Sequence, residues 1–213
     1  MMTINQRVLR KANDDVRYVR GAPEVRPIRV VHLSNMLILS RRQPVQESAI
    51  PAYITSLIRH FEDLRDGTHG GSASRKDKEA HFEKAVELLA PIARQVLTEI
   101  NTGLLLDTGQ LSETGLRRTA DGGLNASWAL SWPEQRATGV QSIALQAYFG
   151  SGFHHPHLRG TTVHDWPLNV FSDEDAVAQL SILRAIASSD LHNLVYGADY
   201  RIVPAVAANS SSR

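Results

Sequence analysis

The amino-acid sequence predicts an α+β fold in which three main helices pack on a mostly antiparallel sheet. Three segments repeat apolar residues at spacings of three and four, which is the period of a helix with one buried face. Two successive segments, 124–132 and 143–149, alternate apolar with small or polar residues, as paired antiparallel strands do. The chain has no internal repeat, and its predicted strands are too few and too unevenly spaced for a βα barrel.

Before the first helix, residues 28–33 and 36–39 are rich in Ile, Val and Leu and are predicted to be strand. The first helix is predicted to begin near Ser48, because serine is a favoured N-cap residue. Its predicted buried stripe consists of Ile50, Ile54, Leu57, Ile58, Phe61 and Leu64. A glycine- and serine-rich loop over 66–74 follows, and we expect it to be mobile.

The second helix is predicted to begin at Ser74, which forms a capping pair with Asp77, and to end near Gly103. Pro91 lies inside its apolar pattern, so we expect a kink or a split there. Residues 105–123 predict a loop with short strand pieces, and the two alternating strands come next.

The third helix is predicted to begin after Ser172, whose side chain can cap it and which is followed by three acidic residues. Tyr200, Ile202 and Pro204 predict a last strand. We therefore divide the chain into a basic N-terminal arm (1–26), a single α+β domain (27–204) and a flexible tail (205–213). The arm is expected to be solvated, with binding of phosphate or a partner as the alternative.

Composition narrows the function classes. The 213 residues are 42% hydrophobic and 21% charged, with a formal net charge of +1, which argues against nucleic acid as a partner. The chain has no cysteine, which excludes disulfides, thiolate metal sites and cysteine nucleophiles. No apolar run reaches the roughly 18 residues that span a bilayer, and the first residues lack the apolar centre of a secretory signal. We expect a cytoplasmic protein without membrane contact, and association of identical chains stays open.

Four of the nine histidines fall between residues 154 and 164, the only concentration of reactive side chains. His155 and His157 flank a proline that favours an extended chain, so both imidazoles are expected on one side. Gly150 and Gly152 precede them and would let the backbone approach a ligand closely.

One interpretation of this cluster is a metal centre. Three histidines (His155, His157 and His164), or His155 and His157 with Asp165 or a distant acid, would suit zinc, iron, manganese or copper and would leave a position for substrate. The function would then be that of a metal-dependent oxygenase or hydrolase, with a divalent metal ion as the cofactor. A non-catalytic binding or assembly module, with structural or pH-responsive histidines, is a further alternative.

Two neighbours of the histidines are candidates for ligand binding. The Arg159 guanidinium suits a phosphate or a carboxylate, and Trp166 could close a pocket beside the cluster. Because Trp166 could equally be a buried anchor, its role stays open.

Residues 148–158 resemble the His-x-His-Leu element of the histidine-triad-like superfamily, in particular galactose-1-phosphate uridylyltransferases and diadenosine tetraphosphate phosphorylases. Residues 35–42 and 191–204 resemble two other segments of that superfamily, in the right order. Those branches usually carry glutamine where this chain has Arg159. The resemblance implies an enzyme of nucleotidyl or phosphate transfer, or of hydrolysis, acting on a phosphorylated or nucleotide-like small molecule.

The same resemblance implies roles for individual residues. His157 would be the nucleophile and form a covalent nucleotidyl-imidazole, and His155 would support it by hydrogen bonding. Backbone N–H groups near Gly150 to Gly152 would hold phosphate oxygens. Independently of the resemblance, His164 could join the catalytic group if Gly160 makes a turn, and Asp165 could orient an imidazole or ligate a metal directly.

Overall fold

The computed structural model describes residues 50–210. The basic arm, the strands predicted between residues 28 and 39, and the end of the predicted tail lie outside these residues. Within the described part, helices pack against one antiparallel sheet, so the predicted α+β class is confirmed.

The sheet has six strands, all paired antiparallel. In chain order they are β1 Gln110–Glu113, β2 Arg117–Arg118, β3 Leu124–Ser131, β4 Ile143–Phe149, β5 His157–Arg159 and β6 Trp166–Pro167. The spatial order is β1, β3, β4, β5, β6, and β2 also pairs with β3. The predicted pairing of the two alternating segments is confirmed, with Trp128 opposite Leu145.

Three of the helices are long, but the third predicted helix, which begins after Ser172, is divided at Gln179 into a short helix and a long one. In chain order the helices are α1 Ala52–Asp66, α2 Arg75–Leu104, α3 Pro133–Thr138, α4 Asp173–Ala178, α5 Leu180–Gly197 and α6 Pro204–Ser210. A short 3-10 helix, Tyr200–Ile202, precedes α6. None of the helices in residues 50–210 combines the length and the apolar character that crossing a membrane requires.

One face of the sheet forms the core with α2 and α5. Alternate residues of β3, such as Trp128 and Leu130, are buried there beside Leu145 of β4 and Phe82 of α2. Burying a side chain of this size contributes roughly 1.5–3 kcal/mol, so the period-two pattern determines which face turns inward.

The opposite face of the sheet is polar where β4 and β5 meet. Tyr148 pairs with His157 and Gln146 with Arg159, and all four side chains are half-buried. The alternation of a strand brings the residues of each pair to the same face. His155 precedes His157 by two positions, so this face carries the predicted histidine pair.

Helix α1 does not bury the whole apolar stripe that the sequence predicts. Ile50, Ile58, Phe61 and Leu64 are 62%, 44%, 60% and 49% exposed, so the prediction is wrong for these residues. The helix instead turns Ser56 and Asp63 inward. The Asp63 carboxylate holds this face, since it accepts the Thr68 hydroxyl (2.8 Å) and lies 3.4 Å from His69 Nδ1. Hydrogen-bonding partners in the fold therefore outweighed the apolar period.

Helix α2 runs through Pro91 as one continuous helix, so the predicted split does not occur. Proline removes one backbone bond, to the carbonyl of Glu87. Both residues are exposed, and water can hydrate that carbonyl. The buried side chains on the other face, including Leu89 and Ala93, hold the helix against the core. The predicted cap is confirmed, since Ser74 Oγ accepts a bond from the Asp77 amide.

The predicted last strand is wrong. Residues 200–202 form the 3-10 helix, because the Asp199 carboxylate accepts the Arg201 amide (2.8 Å). Pro204 opens α6, which extends into the segment predicted as a tail. The Ile202 carbonyl accepts a bond from the indole N–H of Trp132, so this segment is bound by a side chain instead of a neighbouring strand.

Candidate metal centre

Three imidazoles converge beside the polar face of the sheet. His60 comes from α1, His157 from β5, and His155 from the turn just before β5. One ring nitrogen from each lies within 4.8 Å of the others. The His60 and His155 ring centroids are 3.9 Å apart, and those of His155 and His157 are 4.8 Å apart. We call His60, His155 and His157 the histidine triplet.

The triplet is sheltered, and part of its hydrogen-bonding capacity is unused among the described residues. His155 is 4% exposed, and the other two rings are half-buried. In each of the three rings Nδ1 is buried and has no hydrogen-bond partner among the described residues. Leaving a buried polar group unpaired costs about 1–3 kcal/mol, so three such atoms in one place call for a ligand.

The electrostatics keep these imidazoles neutral at pH 7. Burial, and then the neighbouring His60 and His157 rings, lower the pKa of His155 to about 4. Burial also lowers the pKa of His157, opposed by the Asp165 carboxylate, and that of His60, opposed by Asp63. A neutral imidazole is the form that ligates a metal, so protons do not compete for the site at neutral pH.

The spacing is close to that of a three-histidine metal site. Zinc–nitrogen bonds of about 2.1 Å in a tetrahedron put the donor atoms roughly 3.4 Å apart. The widest separation of the triplet, up to 4.8 Å, would therefore have to shorten by about 1.4 Å, which side-chain rotation can supply. Three protein ligands leave the fourth position open for water or substrate.

Aromatic side chains hold the His157 ring. Tyr148 stacks on it at 5.6 Å between centroids, and Phe153 meets it edge-on at 5.3 Å. Burial, and then the Asp165 carboxylate, raise the pKa of the Tyr148 hydroxyl well above its usual range. The hydroxyl thus stays protonated and is hydrogen-bonded to Asp165 near the triplet.

The structure does not bring all the residues predicted for the site together. His155 and His157 lie in the triplet. His164 is exposed and lines a different cavity with Arg159. Asp165 is exposed and interacts with Tyr148, whereas the indole nitrogen of Trp166 is buried without a partner. The third place in the histidine group belongs to His60 and not to His164.

Gly150 and Gly152 lie in a turn beyond the end of β4. Arg75 donates to the carbonyl oxygens of Gly150 (2.9 Å) and Phe149 (3.3 Å), and its guanidinium lies 3.6 Å above the Phe149 ring. The turn therefore presents carbonyls to a cation. Binding of phosphate by its N–H groups stays a prediction.

His60 and His81 lie on predicted helices, and the sequence by itself predicts that both rings face solvent without a functional role. Both rings are half-buried, so that expectation is wrong. A signal was present: Ser56, His60 and Asp63 recur at spacings of four and three, a second stripe on α1. The apolar stripe on the same helix is more prominent and predicts a different buried face.

His69, outside the triplet, lies in the loop that the sequence predicts to be mobile, yet it is fully buried. The loop makes a tight turn, with paired backbone bonds between His69 and Ser72. His69 Nδ1 lies 3.4 Å from Asp63 Oδ2, and burial lowers the pKa of His69 to about 4, opposed by that carboxylate. The buried, neutral His69 ring thus contacts Asp63, which lies on α1 three positions after His60.

We expect the metal-free protein to lose stability as the pH falls. The pKa of His155 is about 4 in the folded protein and 6.5 for an ordinary imidazole. The free energy of unfolding should therefore fall by roughly 3 kcal/mol between pH 6.5 and about 4, because over this range the unfolded chain binds a proton at His155 and the folded protein does not. Urea denaturation of wild type and His155→Gln between pH 7 and 4 measures it. The variant should show the flatter profile, and His192→Gln, at an exposed position, should follow wild type. Equal slopes for wild type and His155→Gln would contradict this assignment.

Comparison with known proteins gives no match for this chain. No protein-family model, no curated protein and no solved structure matches it. The case for a function therefore rests on the chemistry of the histidine triplet and the side chains around it.

Proposed function

We propose that this protein is a metal-dependent enzyme that binds a divalent transition metal through His60, His155 and His157 and acts on a small molecule. The observation that carries the proposal is that one ring nitrogen from each of three imidazoles lies within 4.8 Å of the others. Each of these rings also has a buried Nδ1 without a partner among the described residues. Their lowered pKa values support it, because the neutral rings are ready to ligate.

Zinc is the metal that this donor set fits best. Three nitrogen ligands with an open fourth position are typical of catalytic zinc. An oxygenase of the facial-triad type would need a carboxylate ligand, and the described residues place none in the triplet. Zinc bound there would lower the pKa of its water to about 7, which favours hydrolysis or hydration.

Two neighbouring side chains would position the substrate. The protonated Tyr148 hydroxyl can donate to a substrate oxygen, because its high pKa keeps the proton in place. Asp165, exposed beside it, would hold the Tyr148 hydroxyl by a hydrogen bond until a substrate oxygen replaces the carboxylate as the acceptor. Phe153 and Tyr148 together exclude water from one side of His157.

Nucleotidyl transfer through His157 is the alternative. It is favoured by Arg159, a possible phosphate ligand two residues along the same face. A nucleophilic imidazole needs an acceptor for its other N–H to fix the tautomer, and His157 Nδ1 has none among the described residues. We therefore place metal binding first.

Metal analysis of protein purified without a histidine tag tests the proposal. We expect close to one zinc per chain, and cobalt substitution should give the visible absorption of tetrahedral nitrogen coordination. Incubation with labelled nucleotide should leave no acid-labile label on His157. Protein that takes up neither zinc nor cobalt, or that becomes labelled on His157, would overturn the proposal.

A further inference from the structure

The arginines of the described chain are mostly neutralised by carboxylates. Seven form ion pairs with an Asp or Glu side chain: Arg59, Arg65, Arg75, Arg94, Arg118, Arg184 and Arg201. Arg117, Arg136 and Arg159 do not. Two of these three, Arg136 and Arg159, line the same cavity.

This cavity lies on the polar face of the sheet and has a volume of about 610 Å³. Besides the two arginines, it is lined by His164 and by neutral polar side chains that include Ser131, Ser142 and Gln146. No acidic side chain belongs to its lining. The nearby Asp190 carboxylate lies behind the lining backbone and is satisfied by the amides of Thr161 and Thr162. The two guanidinium groups therefore carry the charge that faces the cavity, which is the arrangement that attracts an oxyanion.

The Arg159 guanidinium is held in a fixed plane. Its Nε donates to the Gln146 side chain (2.8 Å), and its carbon lies 4.4 Å from the centroid of the Tyr148 ring. Both terminal nitrogens have no acceptor among the described residues. Stacking and the Nε bond thus leave a pre-oriented pair of N–H donors free, which is the geometry for bidentate binding of an oxyanion.

Arg136 provides a second donor group from the end of α3. Its Nη1 donates to the Ser131 hydroxyl (3.2 Å), and its other donors are free within residues 50–210. One guanidinium satisfies one carboxylate, whereas a phosphate has three terminal oxygens and up to two charges. Two guanidinium groups with two serine hydroxyls nearby therefore favour phosphate over carboxylate.

We propose that the cavity lined by Arg136, Arg159 and His164 binds the phosphate group of a small-molecule ligand. The inference that this ligand is the substrate rests on the proposed function. Tyr148 lies between the cavity and the histidine triplet. The centroid of its ring is 4.4 Å from the guanidinium carbon of Arg159 and 5.6 Å from the centroid of the His157 ring, so Arg159 and His157 are at most about 10 Å apart at these points. A phosphorylated small molecule can span that distance.

Titration of inorganic phosphate into metal-free protein, followed by ³¹P NMR and calorimetry, tests the proposal. We expect saturable binding that weakens at least tenfold in Arg159→Gln and in Arg136→Gln, because each loses charge-assisted hydrogen bonds. Arg94→Gln is the matched control, since it removes the same charge from an arginine paired with Glu113 outside the cavity. Its affinity should stay within twofold of wild type.

The outcomes separate this proposal from the metal centre. Phosphate binding by protein that never takes up zinc would support the cavity and sink only the proposed function. The proposed phosphate site would be overturned if phosphate showed no saturable binding, or if wild type, Arg159→Gln and Arg136→Gln bound it with equal affinity. Acetate that displaces phosphate at equal concentration would overturn the phosphate assignment. Denaturation curves identify any variant that is unfolded, and Arg136, exposed on α3, gives the second independent measurement.

Discussion

Replacing His155 with alanine is expected to abolish stoichiometric zinc binding while the protein stays folded. His155 is the most buried ring of the triplet and the one nearest to His60, so its loss leaves two ligands on opposite sides of a gap. Removing even an outer-shell partner typically weakens metal affinity 10–100-fold, and a lost ligand should exceed that. Competition with a chromophoric chelator measures the affinity.

The same variant should lose the stabilisation that zinc confers. A ligand at 100 times its dissociation constant stabilises the folded state by about 2.7 kcal/mol, and this increment should be absent in His155→Ala. His164→Ala and His192→Ala are matched controls, because both rings are exposed and lie outside the triplet. If His164→Ala loses zinc and His60→Ala retains it, the ligand set is His155, His157 and His164, and our assignment of His60 is wrong.

Replacing Asp190 with alanine is expected to lower the free energy of unfolding by about 3–5 kcal/mol. Asp190 lies on α5 and is fully buried. Its carboxylate accepts the backbone amides of Thr161 (2.5 Å), Thr162 (2.7 Å) and Val163 (3.2 Å), and also the Thr162 hydroxyl (2.7 Å). Alanine would leave these donors without an acceptor inside the protein.

Urea denaturation measures the Asp190 effect. Asp190→Asn keeps the size and should retain part of the stability, because one amide oxygen can still accept. Asp173→Ala, at an exposed position in the first turn of α4, removes the same charge and should cost less than about 1 kcal/mol. A loss below 1 kcal/mol for Asp190→Ala would contradict the role assigned to this carboxylate.

Asp190 also matters for both proposed sites. The backbone that it holds begins directly after β5, which carries His157 and Arg159. Gly160 is needed there, since a Cβ at that position would lie 2.6 Å from the carboxylate oxygens. Gly160 and the buried Asp190 thus fix the backbone that follows β5, and part of this backbone lines the cavity with Arg136 and Arg159.

Local patterns in the sequence determined much of the fold. The alternation in β3 and β4 predicted both the strands and their pairing, because a side-chain period of two allows only one register with a buried face. The caps at Ser74 and Ser172 marked helix starts, because their hydroxyls bond to amides three residues on. The pairing of His155 with His157 was predicted in the same way, from an extended His-x-His.

Tertiary structure alone decided which third histidine joins that pair and which face of α1 turns inward. His60 is about a hundred residues from its two partners, and no short-range period relates them. Its position depends on where α1 packs against the end of the sheet, a balance between apolar burial and the polar contacts of Ser56 and Asp63 that periodicity cannot weigh. The sequence thus determined the two central strands, the long helices and two of the three converging imidazoles, and packing between distant elements added the third.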